Sequence, residues 1–217
     1  AVLFDMDGVL FDSMPNHARS WRQSMEDCGL HMTEEDAYRY EGMRGVETIR
    51  LMARAQWHRE LSDDEAQRMY DVKCRYFAAC PPAHKMTGVE ELMTWLRDQG
   101  TTIGVVTGSG QHTLLDNLER TFAGLVDKRR IVTAFDVRHG KPSPEPYIAG
   151  LKKVGVEATQ AIVIENAPLG VQSAVAAGIF TLAVNTGPLP DADLLHAGAD
   201  IVVKDMREAL GELKDGV

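Results

Sequence analysis

Apolar and polar positions follow two different regimes along this chain. Val2-Leu3-Phe4 is a short unbroken apolar run ending on Asp5, the pattern of a buried strand. Strand signals then vanish until residue 101, and the interval reads as helical. Pro15 to Gly29 opens on a helix-compatible proline and closes on glycine. Thr33 begins T-x-x-D, and Ser62 begins S-x-x-E, a capping box ahead of "AQRMYDVKCRYFAA". Thr48 to Trp57 predicts a further helix between these. The paired prolines of "CPPAHKM" cannot continue a helix and predict a hinge.

Beyond the hinge, strand and helix patterns alternate. A helix over Gly88 to Gln99 stops at Gly100, and "TTIGVVTG" is a β-branched strand. A helix from Gln111 to Phe122 follows, then strand "IVTAF" and a helix from Glu145 to Val154. Strand "AIVIE", a helix from Pro168 to Ala177, strand "FTLAV" and a short "IVV" complete the series. Such alternation predicts an α/β fold, a parallel sheet with helices on both faces. An all-helical insert interrupts it just after the first strand. The sequence contains no internal repeat and no low-complexity segment.

Composition narrows the function classes. The 217 residues are 44% apolar and 25% charged, enough for one large domain or two modest ones with a real core. A net charge of −9 argues against nucleic acid, because no basic stripe exists to neutralise phosphates. The same charge repels an anionic substrate at long range, so a phosphate ligand requires local cations or a metal. Cys28, Cys74 and Cys80 are odd in number and lack C-x-x-C spacing, which points away from disulfides and zinc and towards a reducing cytoplasm. No apolar run reaches membrane-spanning length, and no signal peptide is visible. The chain opens on a strand without Met, so a few preceding residues are expected.

In open parallel sheets, ligands sit beyond the carboxyl ends of the strands. Those ends carry Asp5 and Asp7, then Thr107, Gly108 and Ser109, then Lys141 in the loop "HGKPSPEP", and finally Glu165 and Asn166. Each has an ordinary reading alone: an aspartate before glycine is often a turn residue, and a single lysine is usually solvated. Four such elements in order are harder to assign to chance. Two other motifs fail. An EF-hand starting at Asp5 needs Gly sixth and Glu twelfth, where this chain has Leu10 and Asn16. A dinucleotide loop at "GSGQHT" needs a third glycine where Thr113 stands.

The motif set D-x-D-G at Asp5 to Gly8, Thr107, Lys141-Pro142 and Glu165-Asn166 resembles the haloacid dehalogenase superfamily of phosphotransferases. The resemblance spans the whole chain and implies a Rossmann-like core at 1–12 and 84–217. Residues 13–83 would be the α-helical cap of the β-phosphoglucomutase-like subgroup. Residues two apart on a strand return to one side, so Asp5 and Asp7 can flank one phosphorus. The resemblance implies that Asp5 is the nucleophile, forming an aspartyl-phosphate. Asp7 would protonate the leaving oxygen and then activate water, its proton retained by repulsion from Asp5 provided a metal holds Asp5 ionised. Gly8 permits a tight turn beside the ligand. Thr107 and the amides of Gly108 and Ser109 would donate to the phosphoryl oxygens, with Lys141 supplying positive charge. Mg²⁺ would rest on Asp5, the Asp7 carbonyl and the Glu165-Asn166 pair. The subgroup usually has Asp where this chain has Asn166, which removes one charge from the metal site.

The cap is expected to choose the substrate, a small phosphate compound. By resemblance, His17, Trp21 and Lys73 face the cleft, and His17 and Lys73 would contact a second phosphate; the alternative is that they are surface helix residues. The sugar-phosphate mutases carry Lys-Gly-x-Ser-Arg where this chain has Glu41-Gly-Met-Arg-Gly45. A carboxylate roughly 5 Å from a phosphate charge costs about 3 kcal/mol at an effective dielectric of about 20. Glu41 therefore disfavours a sugar bisphosphate. "YEG" together with "VIENAPLGV" looks most like the inorganic pyrophosphatases of the subgroup. The expectation is a Mg²⁺-dependent phosphohydrolase with pyrophosphate as leading substrate, the alternative a β-phosphoglucomutase-type phosphotransferase.

Overall fold

The computed structural model describes residues 1–109 and 112–216, the side chains of 112–116 excepted. Among the described residues six strands form one fully parallel sheet: β1 (Val2–Phe4), β2 (Ile103–Val106), β3 (Ile131–Val132), β4 (Ile162–Glu165), β5 (Phe180–Val184) and β6 (Ile201–Val203). Their order is β3-β2-β1-β4-β5-β6. Phe4 pairs with Val105 on one side and Ile164 on the other, so β1, β2 and β4 end level with one another. The order reverses at β1, and a crevice opens there beyond the strand ends.

The strands are apolar throughout because both faces are covered. Val2, Phe4, Val105 and Ile164 pack on one face with α5 (Val89–Asp98), α6 (His112–Thr121) and α10 (Met206–Asp215). Leu3, Val106 and Val163 pack on the other with α7 (Glu145–Val154) and α8 (Pro168–Ala176). The sheet is thus a shared wall between two apolar layers.

Between β1 and α5 lie four helices, α1 (Met14–Asp27), α2 (Glu34–Arg39), α3 (Gly45–Trp57) and α4 (Asp63–Ala78). They enclose an apolar cluster of their own that includes Trp21, Met25, Met32, Ile49 and Met52. Both expected capping boxes form: Thr33 with Asp36, and Ser62 with Glu65. The insert is therefore a helical cap with its own core. Its two connections run side by side, since the Asp12 amide donates to His84 O at 2.9 Å and the Met86 amide to Leu10 O at 2.9 Å.

Departures from the sequence reading have local causes. Strand "IVTAF" pairs only at Ile131–Val132, because the amide and hydroxyl of Thr133 both donate to Asp136, each at 2.8 Å, and bend the chain away. α3 starts at Gly45, three residues before the expected Thr48. The expected start of α6, Gln111, lies outside the described residues. Two helices went unread: α9 (Asp191–His196) and α10, whose N-cap Asp205 accepts from the amides of Arg207 and Glu208. No helix among the described residues is long and apolar enough to cross a membrane.

Candidate active site

Asp5 leaves β1 at the reversal point, 2% exposed, with its amide still bonded to Ile164 O at 3.0 Å. Its Oδ1 accepts from Lys141 Nζ at 2.5 Å, while Oδ2 is buried without a hydrogen-bond partner. Burial pushes the Asp5 carboxyl up to about 8; Lys141 opposes this, and Glu165 and Asp7 add to it. Gly8 follows at φ +86°, and a Cβ there would stand 2.1 Å from Asn166 Nδ2, so the turn needs glycine for both conformation and space. The Gly8 carbonyl is held by the Thr186 hydroxyl at 2.7 Å.

Lys141 reaches Asp5 from its loop across the sheet edge. All three of its protons are used: on Asp5, on Glu165 Oε1 at 2.6 Å and on Val106 O at 3.2 Å. Burial alone would lower this ammonium, but Asp5 and Glu165 outweigh it and hold the cation well above its ordinary value. Glu165 is equally committed. Its Oε1 also accepts from Tyr147 Oη at 3.0 Å, and its Oε2 from the amides of Asn166 at 2.8 Å and Ala167 at 3.0 Å. The side chain beside it that lacks a partner is Asn166, whose Oδ1 is buried and unsatisfied.

The expectation for Asp7, a proton kept by repulsion where a metal holds Asp5 ionised, meets opposing influences from its neighbours. Burial does raise it, but His17, the Ser13 hydroxyl and Lys73 outweigh that and hold it below the ordinary carboxylate value. Ser13 Oγ donates to Asp7 Oδ1 at 2.6 Å, and His17 Nε2 lies 3.2 Å from the same oxygen. On its other side, His17 Nδ1 meets Lys73 Nζ at 2.8 Å. A lysine can only donate there, so the ring proton sits on Nε2 and points at Asp7. Burial and the Lys73 charge keep this histidine neutral. His17 and Lys73 are thus buried, not surface helix residues. Lys73 further sits over the rings of Phe77 and Trp21, at 4.8 and 5.3 Å from their centroids.

Cap and core enclose a cavity of about 30 Å³ beside Asp7, lined by His17, Trp21, Glu41, Lys73, Gly108 and Ser109 together with Tyr40, Met43 and Tyr70. Glu41 faces it, and burial, with Asp7 and Asp5 nearby, pushes its carboxyl well above the ordinary value. The direction favours the neutral acid, which can donate a hydrogen bond, over the charge on which the repulsion argument rests. Thr107, 3% exposed, ends β2, but its Oγ1 accepts from the Ser109 amide at 3.0 Å. That amide is engaged with Thr107 and does not point to a ligand, contrary to expectation. Arg44 lies outside the cavity, donating to Arg138 O at 2.7 Å.

Sequence reading passed over Ser13, Tyr147 and Tyr70. A fully buried tyrosine needs a hydroxyl partner, and that is the signal Tyr147 carried. Ser13, six residues past Asp7, offered no spacing rule.

Residues 2–184 match the haloacid dehalogenase-like hydrolase family. A phosphorylated carbohydrates phosphatase of Thermotoga maritima is 30% identical over 218 residues, covering 99% of this chain and 98% of that protein. The β-phosphoglucomutase of Bacillus subtilis is 24% identical over 98% of this chain and 92% of its own. A solved structure from Bacteroides vulgatus, provisionally named a β-phosphoglucomutase, superposes with a TM-score of 0.94 at 48% identity, covering 98% of this chain and 86% of that one. The chain belongs to the haloacid dehalogenase-like hydrolases, in their β-phosphoglucomutase-like subgroup.

Proposed function

We propose that this protein is a Mg²⁺-dependent phosphohydrolase acting through Asp5 on a small phosphate substrate, with inorganic pyrophosphate the leading candidate. One observation carries the reading: the small cavity of about 30 Å³ beside Asp7, whose lining includes, among the described residues, a single cation, Lys73. A phosphate-sized leaving group suits that space far better than a hexose.

Asp5 attacks phosphorus through a carboxylate oxygen as the bond to the leaving phosphate breaks, giving an aspartyl-phosphate. Lys141 and the Thr107 hydroxyl offset the charge on the phosphoryl oxygens. Water then attacks the same phosphorus, its proton passes to Asp7, and Asp5 is released. An ionised Asp7 suits this second step. It is a poor acid for an alkoxide, yet a leaving phosphate needs little protonation, which again favours pyrophosphate over a sugar ester.

The donor set fits a hard divalent cation. Asp5 Oδ2 and Asn166 Oδ1 are buried oxygens without partners, and neither is a soft ligand. Among the described residues no cluster of three or more His, Cys, Asp or Glu side chains could hold a metal, so Mg²⁺ would rest on Asp5, Asn166, the Asp7 carbonyl and oxygens of water or substrate. Asn166 takes this place in preference to Glu165, whose oxygens are already hydrogen-bonded. The bound ion supplies positive charge against the phosphoryl oxygens and keeps Asp5 ionised.

Hydrolysis of a sugar phosphate is the second reading, favoured by the full-length match to the carbohydrate phosphatase. A mutase activity finds less support, since among the described residues no arginine lines the cavity to grip a second phosphate. Phosphate release from pyrophosphate, hexose phosphates and nucleotides with Mg²⁺ separates the first two. Glucose 6-phosphate formed from β-glucose 1-phosphate with a bisphosphate primer would establish the mutase instead.

A further inference from the structure

Tyr70 stands between two spaces of different size. The inner cavity measures about 30 Å³, and a second space of about 260 Å³ adjoins it. Gly45, Tyr70 and Gly108 line both. Two of these three have no side chain, so the partition is the tyrosine ring laid across backbone.

The ring is firmly seated. A Cβ built on Gly45 would stand 2.0 Å from Tyr70 Cε2 and 2.3 Å from Cδ2, so the ring lies directly on that glycine. The Trp21 ring centroid is 6.2 Å away, and Lys73 Nζ lies 6.0 Å from the Tyr70 centroid. Burial, with Cys74 adjacent, pushes the Tyr70 phenol above its ordinary value. An aromatic held at its edge and its face forms a wall between the two spaces.

The outer space has a chemistry of its own. Arg44, Gln67 and Asp71 line it with donors and acceptors, and Phe135, 66% exposed, adds an aromatic face. Hydroxyl-rich rings present hydrogen-bonding edges and apolar C–H faces, which such a lining complements. We propose that Tyr70 is a specificity-determining wall, which limits the leaving group to phosphate size and shuts it off from an outer space fit for a sugar-sized alcohol. The inference rests on the reading of the inner cavity as the reaction site.

The test compares kcat/KM for acetyl phosphate and a hexose 6-phosphate in wild type, Tyr70→Ala and Tyr70→Phe, with pyrophosphate in a separate arm. The wall requires the hexose-to-acetyl ratio to be low in wild type and to rise at least about tenfold in Tyr70→Ala. Tyr70→Phe keeps the ring and should keep the wild-type ratio. If Tyr70→Ala does not fold, Tyr70→Leu, which preserves apolar packing without spanning the gap, takes its place. An unchanged ratio on removing the ring overturns the proposal, as does a phenylalanine variant that behaves like the truncation. A wild type already indifferent to leaving-group size overturns it too. Failure of pyrophosphate alone to turn over would refute that substrate while leaving the ratio intact as the measure of the wall.

Discussion

Lys73 Nζ donates to His17 Nδ1 at 2.8 Å, although the two residues are 56 positions apart on different helices of the cap. The contact fixes the histidine tautomer, and with it the donor that faces Asp7. Removing His17 takes away the largest influence holding Asp7 down, so the Asp7 carboxyl should rise. If Asp7 serves as the ionised base, the acid limb of the pH–rate profile shifts to higher pH in His17→Ala. A limb that stays in place in His17→Ala would remove Asp7 from the role of base.

Asp5→Asn should abolish turnover. The substitution changes little volume, but it removes the nucleophilic charge and replaces the Lys141 ion pair with a neutral contact. Near-wild-type thermal stability with no measurable phosphate release is the expected pair of results. Retained turnover above a small fraction of wild type would exclude the covalent route.

The fold was legible from the sequence because helix and strand periods change sharply at the hinge, and because Thr33 and Ser62 carry their caps in the local sequence. The strand ends that carry the candidate site were legible as well, since motif and strand end coincide at Asp5, Thr107 and Glu165. What stayed hidden depends on contacts across long separations. Tyr147 reads as one more apolar helix position until its hydroxyl is seen on Glu165 at 3.0 Å. The influences on Asp7 and Glu41 stayed hidden for the same reason: Ser13, His17 and Lys73 converge on the one, while the other is half-buried near two aspartates. α10 was missed although Met206, Ala209 and Leu210 follow helical spacing after Asp205.

Asn166→Asp tests the metal site with a readout independent of catalysis. A third carboxylate near Asp5 and Glu165 should lower the melting temperature of the metal-free protein. Mg²⁺ should then raise that temperature by a larger increment than in wild type, because the added charge tightens binding. A tenfold gain in affinity corresponds to about 1.4 kcal/mol. Equal increments in the two proteins would mean that residue 166 does not touch the ion.

Glu41 separates the two substrate readings, and its protonation sharpens the test. It lines the cavity together with Asp7, and burial with Asp7 and Asp5 nearby pushes its carboxyl well above the ordinary value. As a neutral acid it would donate a hydrogen bond to a substrate oxygen, and Glu41→Gln would keep most of the activity. If substrate-bound Mg²⁺ ionises it, the carboxylate becomes an additional oxygen ligand, and glutamine fails as badly as alanine. In either case Glu41→Ala should lower kcat/KM for pyrophosphate at least about tenfold, the effect of about 1.4 kcal/mol on a barrier. Sugar phosphates should lose less, since their hydroxyls can be met by water in the space vacated. The discriminating measurement is kcat/KM for pyrophosphate and several sugar phosphates across wild type, Glu41→Ala and Glu41→Gln, each titrated with Mg²⁺. A glutamine variant with normal kcat but a raised Mg²⁺ requirement would place the metal–diphosphate complex against Glu41. Equal small losses for all substrates would leave Glu41 as a bystander in the wall of the cavity and take the preference for pyrophosphate with it.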